Sequence, residues 1–233
     1  MKSNHEKHEV FDFITKYILG NNIIINSDSK IDEKFIRNLI RNTNYKKNFR
    51  PDGFSIIDED IYMIEHFQFD ASKETKGSQL SKEFSLIDKK VKNAKKTISS
   101  VIETNSDVEI YINNLINHFV EHAKKILNYS NNINNEFPEK NNCGLVFFIE
   151  DKTIFGAMNV EREPFQIVLT KEFINVWQMY PDIKYIFIGG NFIGNDYCIA
   201  YSNLLLNKNY DSINNSKIII MNSAQVIDVV EKI

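Results

Sequence analysis

Residues 50–70 read RPDGFSIIDEDIYMIEHFQFD. Two runs of β-branched and aromatic residues flank an acidic triplet, which predicts a β-hairpin with strands over 54–57 and 61–69. The second strand is apolar on both faces, as is typical of a strand inside a sheet. Asp52 and Glu65 are unusual in this setting, because carboxylates are disfavoured in strands unless their chemistry is needed there.

The length of the hairpin loop decides whether these two carboxylates can act together. A loop with an even number of residues, such as a four-residue turn over 57–60, places Asp52 opposite Glu65. An odd loop places Asp52 opposite His66 and turns Glu65 to the other face. In the even register the two Cβ atoms lie about 5 Å apart, so the carboxylates can share a hard cation such as Mg²⁺.

An ion bound there would neutralise phosphate charge and lower the pKa of an attacking water, which is the chemistry of phosphodiester hydrolysis. Two structural interpretations stay open. The tripeptide Pro51-Asp52-Gly53 is typical of turns, in which Asp52 would cap the backbone. Glu65 would then serve as the ion-pair partner of a cation such as Arg50.

The rest of the chain alternates between helical and extended patterns. The periodicity predicts helices over 10–19, 28–40, 80–104, 106–129, 171–179 and 224–233. It predicts further extended segments over 22–26, 144–150, 166–169, 183–188, 196–201 and 218–221, with a loop over 131–142. This order indicates a single α/β domain over 1–233, built on a mixed β-sheet flanked by helices.

Composition limits the partners and the compartment. The formal net charge is −3, so any binding of nucleic acid must use a local basic patch. The polar start MKSNHEKHEV and apolar runs of only about five residues predict a cytoplasmic protein with no membrane span. Cys143 and Cys198 are isolated in sequence and match no cysteine metal motif.

The order of elements around the two carboxylates resembles the PD-(D/E)XK nuclease-like superfamily. A helix carrying Glu33 precedes Pro51-Asp52, a strand follows, and Ile64-Glu65 lies inside the next strand. The resemblance implies a restriction-endonuclease-like core over about 30–190. It also implies a helical insertion over about 106–142, and C-terminal strands and a helix over 191–233.

Residue by residue, the resemblance implies that Asp52 and Glu65 hold Mg²⁺ or Mn²⁺ and that Glu33 is an acidic helper. The family lysine is missing, since Phe67 stands at its position, and the adjacent Gln68 should point to the opposite face but is kept as a catalytic candidate. A lysine from downstream could replace it, and the candidates are Lys73, Lys76 and Lys82. Without a replacement, the resemblance implies a catalytically inactive member of this fold that binds nucleic acid or protein.

Basic residues near the hairpin are candidates for contacts with the phosphates of DNA or RNA. They are Arg37, Arg41, Lys46, Lys47, Arg50 and Lys82. A solvated surface is the alternative interpretation of the lysine-rich helix face that includes Lys82. A homodimer is a candidate oligomeric state of the chain.

A second metal motif lies at residues 118–122, which read HFVEH. It resembles the His-x-x-Glu-His helix of inverted zincin metallopeptidases, with His118 and His122 on one helix face as zinc ligands and Glu121 as general base. No third ligand is evident at a suitable spacing. Two histidines at the border of an amphipathic helix are the structural alternative.

Overall fold

The structure is a computed structural model of the chain. It describes residues 9–19, 23–25, 30–46, 49–69, 98–103, 108–152, 157–158, 170–192, 195–207, 219–220 and 224–229. Among the lysines predicted to contact nucleic acid or to replace the family lysine, Lys47, Lys73, Lys76 and Lys82 lie outside these described residues.

Helices and strands are interspersed along the described chain. The helices are α1 (Glu9–Phe13), α2 (Glu33–Arg41), α3 (Val108–Ala123), α4 (Ile126–Glu136) and α5 (Lys171–Trp177), with a π-helical segment Ile14–Leu19 after α1 and a 3₁₀ helix at Asn203–Asn207. The first six strands are β1 (Ile23–Ile25), β2 (Thr43–Asn44), β3 (Gly53–Ile57), β4 (Asp60–Phe69), β5 (Ile98–Glu103) and β6 (Asn141–Asp151). The remaining strands are β7 (Ala157–Met158), β8 (Ile183–Phe192), β9 (Asn195–Ser202), β10 (Ile219–Ile220) and β11 (Ala224–Val229).

Seven of these strands form one mixed sheet in the order β1-β9-β8-β6-β4-β3-β2. Strands β4, β6 and β8 run parallel to one another, and β3 and β9 run antiparallel to their neighbours β4 and β8. Helices pack on both faces of the sheet, so the predicted α/β class with a mixed, helix-flanked sheet is confirmed. Strand β4 lies between β3 and β6, as its apolar faces predicted.

The hairpin has the register that the paired carboxylates require. Gly53 pairs with Ile64 and Ile57 pairs with Asp60, so the connecting loop is the two residues Asp58 and Glu59. Asp58 has a φ of 54°, a left-handed conformation that Asp tolerates better than most residues. The even loop is thus confirmed, and one step beyond the Gly53–Ile64 pair the chain places Asp52 beside Glu65.

Residues of β4 alternate between two hydrophobic clusters. Met63 and Phe67 face the cluster formed with α3, α4 and α5, which includes the fully buried Phe119. Ile64 faces the other cluster, where Phe13 of α1 stacks on Phe148 of β6 at 5.0 Å. Glu65 therefore points toward the side of α3 and α4, and its neighbour His66 points toward the side of α1.

Two predicted helices were wrong where the structure describes them. Residues 98–103 form β5 and pair antiparallel with β11 over 224–229, although helices were predicted over 80–104 and 224–233. Both segments are rich in Ile and Val, whose β-branched side chains lose rotamer freedom in a helix and suit a strand. The remainder of the predicted 80–104 helix, apart from those six residues, falls outside the described residues.

The helix predicted over 106–129 is two helices, and the loop predicted over 131–142 was wrong in its first half. The chain turns at Lys124 and Lys125, and α4 then continues to Glu136. Ile126 and Ile133 recur at helical spacing and are buried, so packing on the sheet outweighs the asparagine-rich composition that suggested a loop.

No helix in the described part of the chain is both long enough and apolar enough to cross a bilayer.

Candidate active site

Strand β3 begins at Gly53, so the part of β4 beyond Ile64 has no partner from β3. Asp52 contacts the first part of this unpaired edge. The pairing between β3 and β4 stops at Gly53 and Ile64, while β4 continues to Phe69. The backbone N–H of His66 donates to Oδ2 of Asp52 at 3.0 Å, so the carboxylate takes the place of the next strand residue. The turn-capping interpretation of Asp52 is therefore replaced by a contact to the opposite strand.

Glu65 is almost fully buried and is held by α3 and α4. Its Oε1 accepts a hydrogen bond from the Tyr129 hydroxyl at 2.7 Å and lies 2.7 Å from Nδ1 of His122. The ammonium of Lys125 lies 3.5 Å from the same oxygen. The second oxygen, Oε2, is buried and has no hydrogen-bond partner among the described residues. One oxygen thus has three polar neighbours, and the carboxyl group as a whole also interacts with the side chain of Asp52.

The surroundings shift the pKa values of the two carboxyl groups in opposite directions. Burial, followed by the nearby charge of Glu65, raises the pKa of Asp52 to about 6. Burial alone would raise the pKa of Glu65 too, but the hydrogen bonds from His122 and Tyr129 lower it below its ordinary value. At neutral pH both carboxyl groups are therefore mostly ionised, and the cations Arg50 and Lys125 lie beside them.

Arg50 covers the outer side of the pair. Its guanidinium donates to Oδ1 of Asp52 at 2.7 Å, and its side chain is 68% exposed. Because this ion pair is exposed to solvent, it contributes little to stability. The predicted interpretation in which Arg50 pairs with Glu65 is thus replaced by pairing with Asp52.

These residues line a cleft of about 490 Å³. Its walls come from α1, the 50–52 segment, β4, α3 and α4. The lining residues are Glu9, Arg50, Asp52, Glu65, His66, His122, Lys125, Asn128, Tyr129 and Asn132.

Two predicted site residues do not line this cleft. Glu33 is the first residue of α2, its side chain is 73% exposed, and its carboxylate lies 3.6 Å from Arg37. Gln68 points away from Glu65, as expected from strand alternation, and its amide donates to Oε2 of Glu150 at 2.8 Å. The structure therefore brings Asp52 and Glu65 together and leaves Glu33 and Gln68 elsewhere.

The predicted basic residues are dispersed. Only Arg50 among them lines the cleft in the described part of the chain. Arg37 and Arg41 are exposed on α2, and Lys46 forms an ion pair with Glu136 at the end of α4. The sequence order placed them together, but α2 packs on the opposite face of the sheet from α4.

The position of the missing family lysine is occupied by an aromatic stack. Phe67 stacks on the ring of His122 at 4.6 Å, with 21° between the planes. The nearest ammonium comes from Lys125, which lies 3.3 Å from Nδ1 of His122 as well as 3.5 Å from Glu65. Sequence reasoning missed Lys125 and Tyr129; the one local signal was that they follow His122 by three and seven residues.

The HFVEH helix places His122 in the wall of the carboxylate cleft. His122 contacts Glu65, both histidine rings stack on Phe67, and Glu121 is exposed. Within the described residues no group of three or more His, Cys, Asp or Glu side chains is arranged to hold a metal ion. The zinc peptidase hypothesis stays a prediction without a third ligand.

The donor set at Asp52 and Glu65 fits Mg²⁺ or Mn²⁺ better than it fits zinc. Magnesium keeps several of its waters and is commonly bound through one or two carboxylates, whereas zinc sites use at least three protein ligands. Oε2 of Glu65 is one of three buried side-chain atoms at the cleft that have no hydrogen-bond partner among the described residues, and the other two are the ring nitrogens of His66. The two carboxylates are therefore the residues that would hold the ion.

Comparison of the chain with models of known protein families, with curated proteins and with solved structures found no match.

Proposed function

We propose that this protein is a divalent-metal-dependent nuclease that hydrolyses phosphodiesters of nucleic acid at the Asp52–Glu65 cleft. The observation that carries the proposal is the pair itself: Asp52, directly before β3, and Glu65 of β4 interact through their carboxyl groups at a cleft, and Oε2 of the buried Glu65 accepts no hydrogen bond from an N–H or hydroxyl donor of the described residues. The helix-flanked mixed sheet and the Asp and Glu on a hairpin support the restriction-endonuclease-like fold that the sequence resembles.

The side chains around Glu65 hold its carboxylate in one position. His122 and Tyr129 contact one oxygen from α3 and α4, and the other oxygen is buried. Such fixed contacts maintain a site within the small tolerance that catalysis requires. These two residues are thus positioning residues in the proposed reaction.

The cations of the cleft provide the complement to a phosphate. Lys125 is 41% exposed beside Glu65, and the exposed guanidinium of Arg50 lies beside Asp52. Both can approach a phosphate in the cleft and neutralise part of its charge. Mg²⁺ or Mn²⁺, when bound by Asp52 and Glu65, would supply a water of lowered pKa and further charge neutralisation.

A catalytically inactive, nucleic-acid-binding member of the same fold is the second candidate. One observation favours it: the Phe67–His122 stack stands where the family lysine would lie. In that case Lys125 balances the charge of Glu65, and the cleft binds nucleic acid without cleaving it. Cytoplasm is the expected location for either candidate, and DNA or RNA is the expected partner.

The two candidates are separated by a cleavage assay on single- and double-stranded DNA and RNA with Mn²⁺ or Mg²⁺. We expect metal-dependent cleavage by the wild type, at least a hundredfold loss in Asp52→Asn and Glu65→Gln, and none in EDTA. The matched control is Glu139→Gln, an exposed carboxylate outside the cleft. Equal cleavage by Asp52→Asn would remove this site as the active site, and no cleavage by the wild type favours the binding protein.

A further inference from the structure

One face of α4 is polar and forms a wall of the cleft. Lys125, Asn128 and Asn132 recur at i, i+3 and i+7, which places them along one side of the helix, and all three line the cleft. Ile126 and Ile133 of the same helix are buried against the sheet. The burial of these two isoleucines therefore determines which face of α4 lines the cleft.

The two asparagines of this wall differ in what they bind. The amide of Asn132 donates to the backbone oxygen of Arg50 at 3.1 Å, which ties α4 to the segment that carries Asp52. Asn128 is exposed and has no polar partner among the described residues. Its amide, with two donor hydrogens and an acceptor oxygen, faces the open cleft.

The size and depth of the cleft select the form of the ligand. A volume of about 490 Å³ lies in the range of ~300–1,000 Å³ that encloses one small molecule, the scale of a single nucleotide. Glu65 is 2% exposed. A stacked duplex presents its phosphates on a stiff outer surface, whereas a single strand can bend one phosphate down to such a carboxylate.

We propose that the cleft takes single-stranded nucleic acid. One nucleotide rests against α4 with polar edges bonded to Asn128, and the adjoining phosphates lie beside Lys125 and Arg50. The identity of the reacting phosphate rests on the proposed function, but the binding of the strand does not.

Binding is tested by fluorescence anisotropy with the full chain in EDTA, which prevents metal-dependent cleavage. The probes are a labelled single-stranded DNA, an RNA of the same sequence and the DNA duplex. We expect at least one single strand to bind tenfold or more tightly than the duplex, and the DNA and RNA arms show which sugar is preferred. Duplex binding that equals or exceeds both single strands overturns the inference.

Variants of α4 locate the contact. Asn128→Ala keeps a good helix former in place and should weaken single-strand binding about fivefold, the effect of one lost hydrogen bond. The matched control is Asn131→Ala, an exposed asparagine of the same helix that does not line the cleft. Equal affinities of the two variants contradict the contact.

The phosphate contact has its own readout in the salt dependence. Lys125→Met should reduce the slope of log affinity against log salt by about 0.7, and the exposed neighbour variant Lys124→Met should leave it unchanged. An unaltered slope in Lys125→Met contradicts the placement of the phosphates. Selective single-strand binding without any cleavage would defeat the proposed nuclease function alone, and cleavage with a duplex preference would defeat this inference alone.

Discussion

Asp52 and Glu65 form an acidic pair whose two members are stabilised in opposite protonation states. Hydrogen bonds from His122 and Tyr129 keep Glu65 ionised, whereas burial and the charge of Glu65 raise the pKa of Asp52 to about 6. The pair therefore gains a second negative charge close to neutral pH. A cation or a proton relieves the resulting repulsion.

The first prediction concerns pH and stability without metal. Because the folded state raises the pKa of Asp52, it holds that proton more tightly than the unfolded chain does. Stability contributed by the protonated form is present below pH ~4 and is lost as pH rises through about 6, by at most roughly 3 kcal/mol. Urea unfolding in EDTA at several pH values measures this loss.

Asp52→Asn provides the comparison, since it stays neutral at every pH. Relative to the wild type, the variant should gain free energy of unfolding between pH 5 and pH 8. A constant difference between the two proteins over this range would show that the two carboxylates do not interact as described.

The second prediction concerns the hydroxyl that holds Glu65. Tyr129→Phe removes a hydrogen bond to a buried charged group and should lower the free energy of unfolding by about 1.5–3 kcal/mol. Tyr180→Phe is the control, because the Tyr180 hydroxyl has no hydrogen-bond partner in the described part of the chain. Chemical denaturation compares them, and equal stabilities would contradict the Tyr129–Glu65 contact.

Helix α4 links the core to the cleft at the scale of elements. Its apolar stripe packs on the sheet, and the same turn of helix presents Tyr129 to Glu65. The position of the Tyr129 hydroxyl therefore depends on how α4 is docked. Helix packing, not a local motif, completes the site.

The third prediction tests that docking. Ile133 is fully buried, so Ile133→Ala should cost about 2–5 kcal/mol of stability and loosen the contact of α4 with the sheet. Leu127→Ala on the same helix should change stability by less than about 0.5 kcal/mol, because Leu127 is 72% exposed. Urea denaturation of both variants is the measurement, and similar costs would contradict the burial pattern.

The sequence predicted the hairpin and its two carboxylates because both depend on local rules. Loop length sets register, and strand alternation sets the face of Glu65 and of Gln68. The contacts of Glu65 with His122 and Tyr129 span 57 and 64 residues along the chain. They depend on the break at Lys124 and on the docking of α4, which periodicity does not determine.

Two of the strand pairings join segments that are far apart along the chain. Strand β11 near the end of the chain pairs with β5, and β1 near the start pairs with β9. The helical prediction for β5 and β11 failed because short runs of β-branched residues suit either periodicity until a partner strand is known. Long-range pairing of this kind has no signal within one segment.

The fourth prediction tests the β5–β11 register by cross-linking. Ser100 lies directly opposite Ile227, a separation that suits a disulfide. In a Cys143→Ser background, Ser100→Cys with Ile227→Cys should oxidise to a disulfide, and Ser100→Cys with Gln225→Cys should not. Thiol titration after mild oxidation distinguishes them, and cross-linking of the offset pair would contradict the register.

The most direct test of the proposed site is calorimetric titration of the metal-free protein with Mn²⁺. We predict one bound Mn²⁺ per wild-type chain, loss of binding in Asp52→Asn and Glu65→Gln, and retention in Glu139→Gln. A wild type that binds no Mn²⁺, or an Asp52→Asn variant that binds it as tightly as the wild type, would contradict a metal site at this pair.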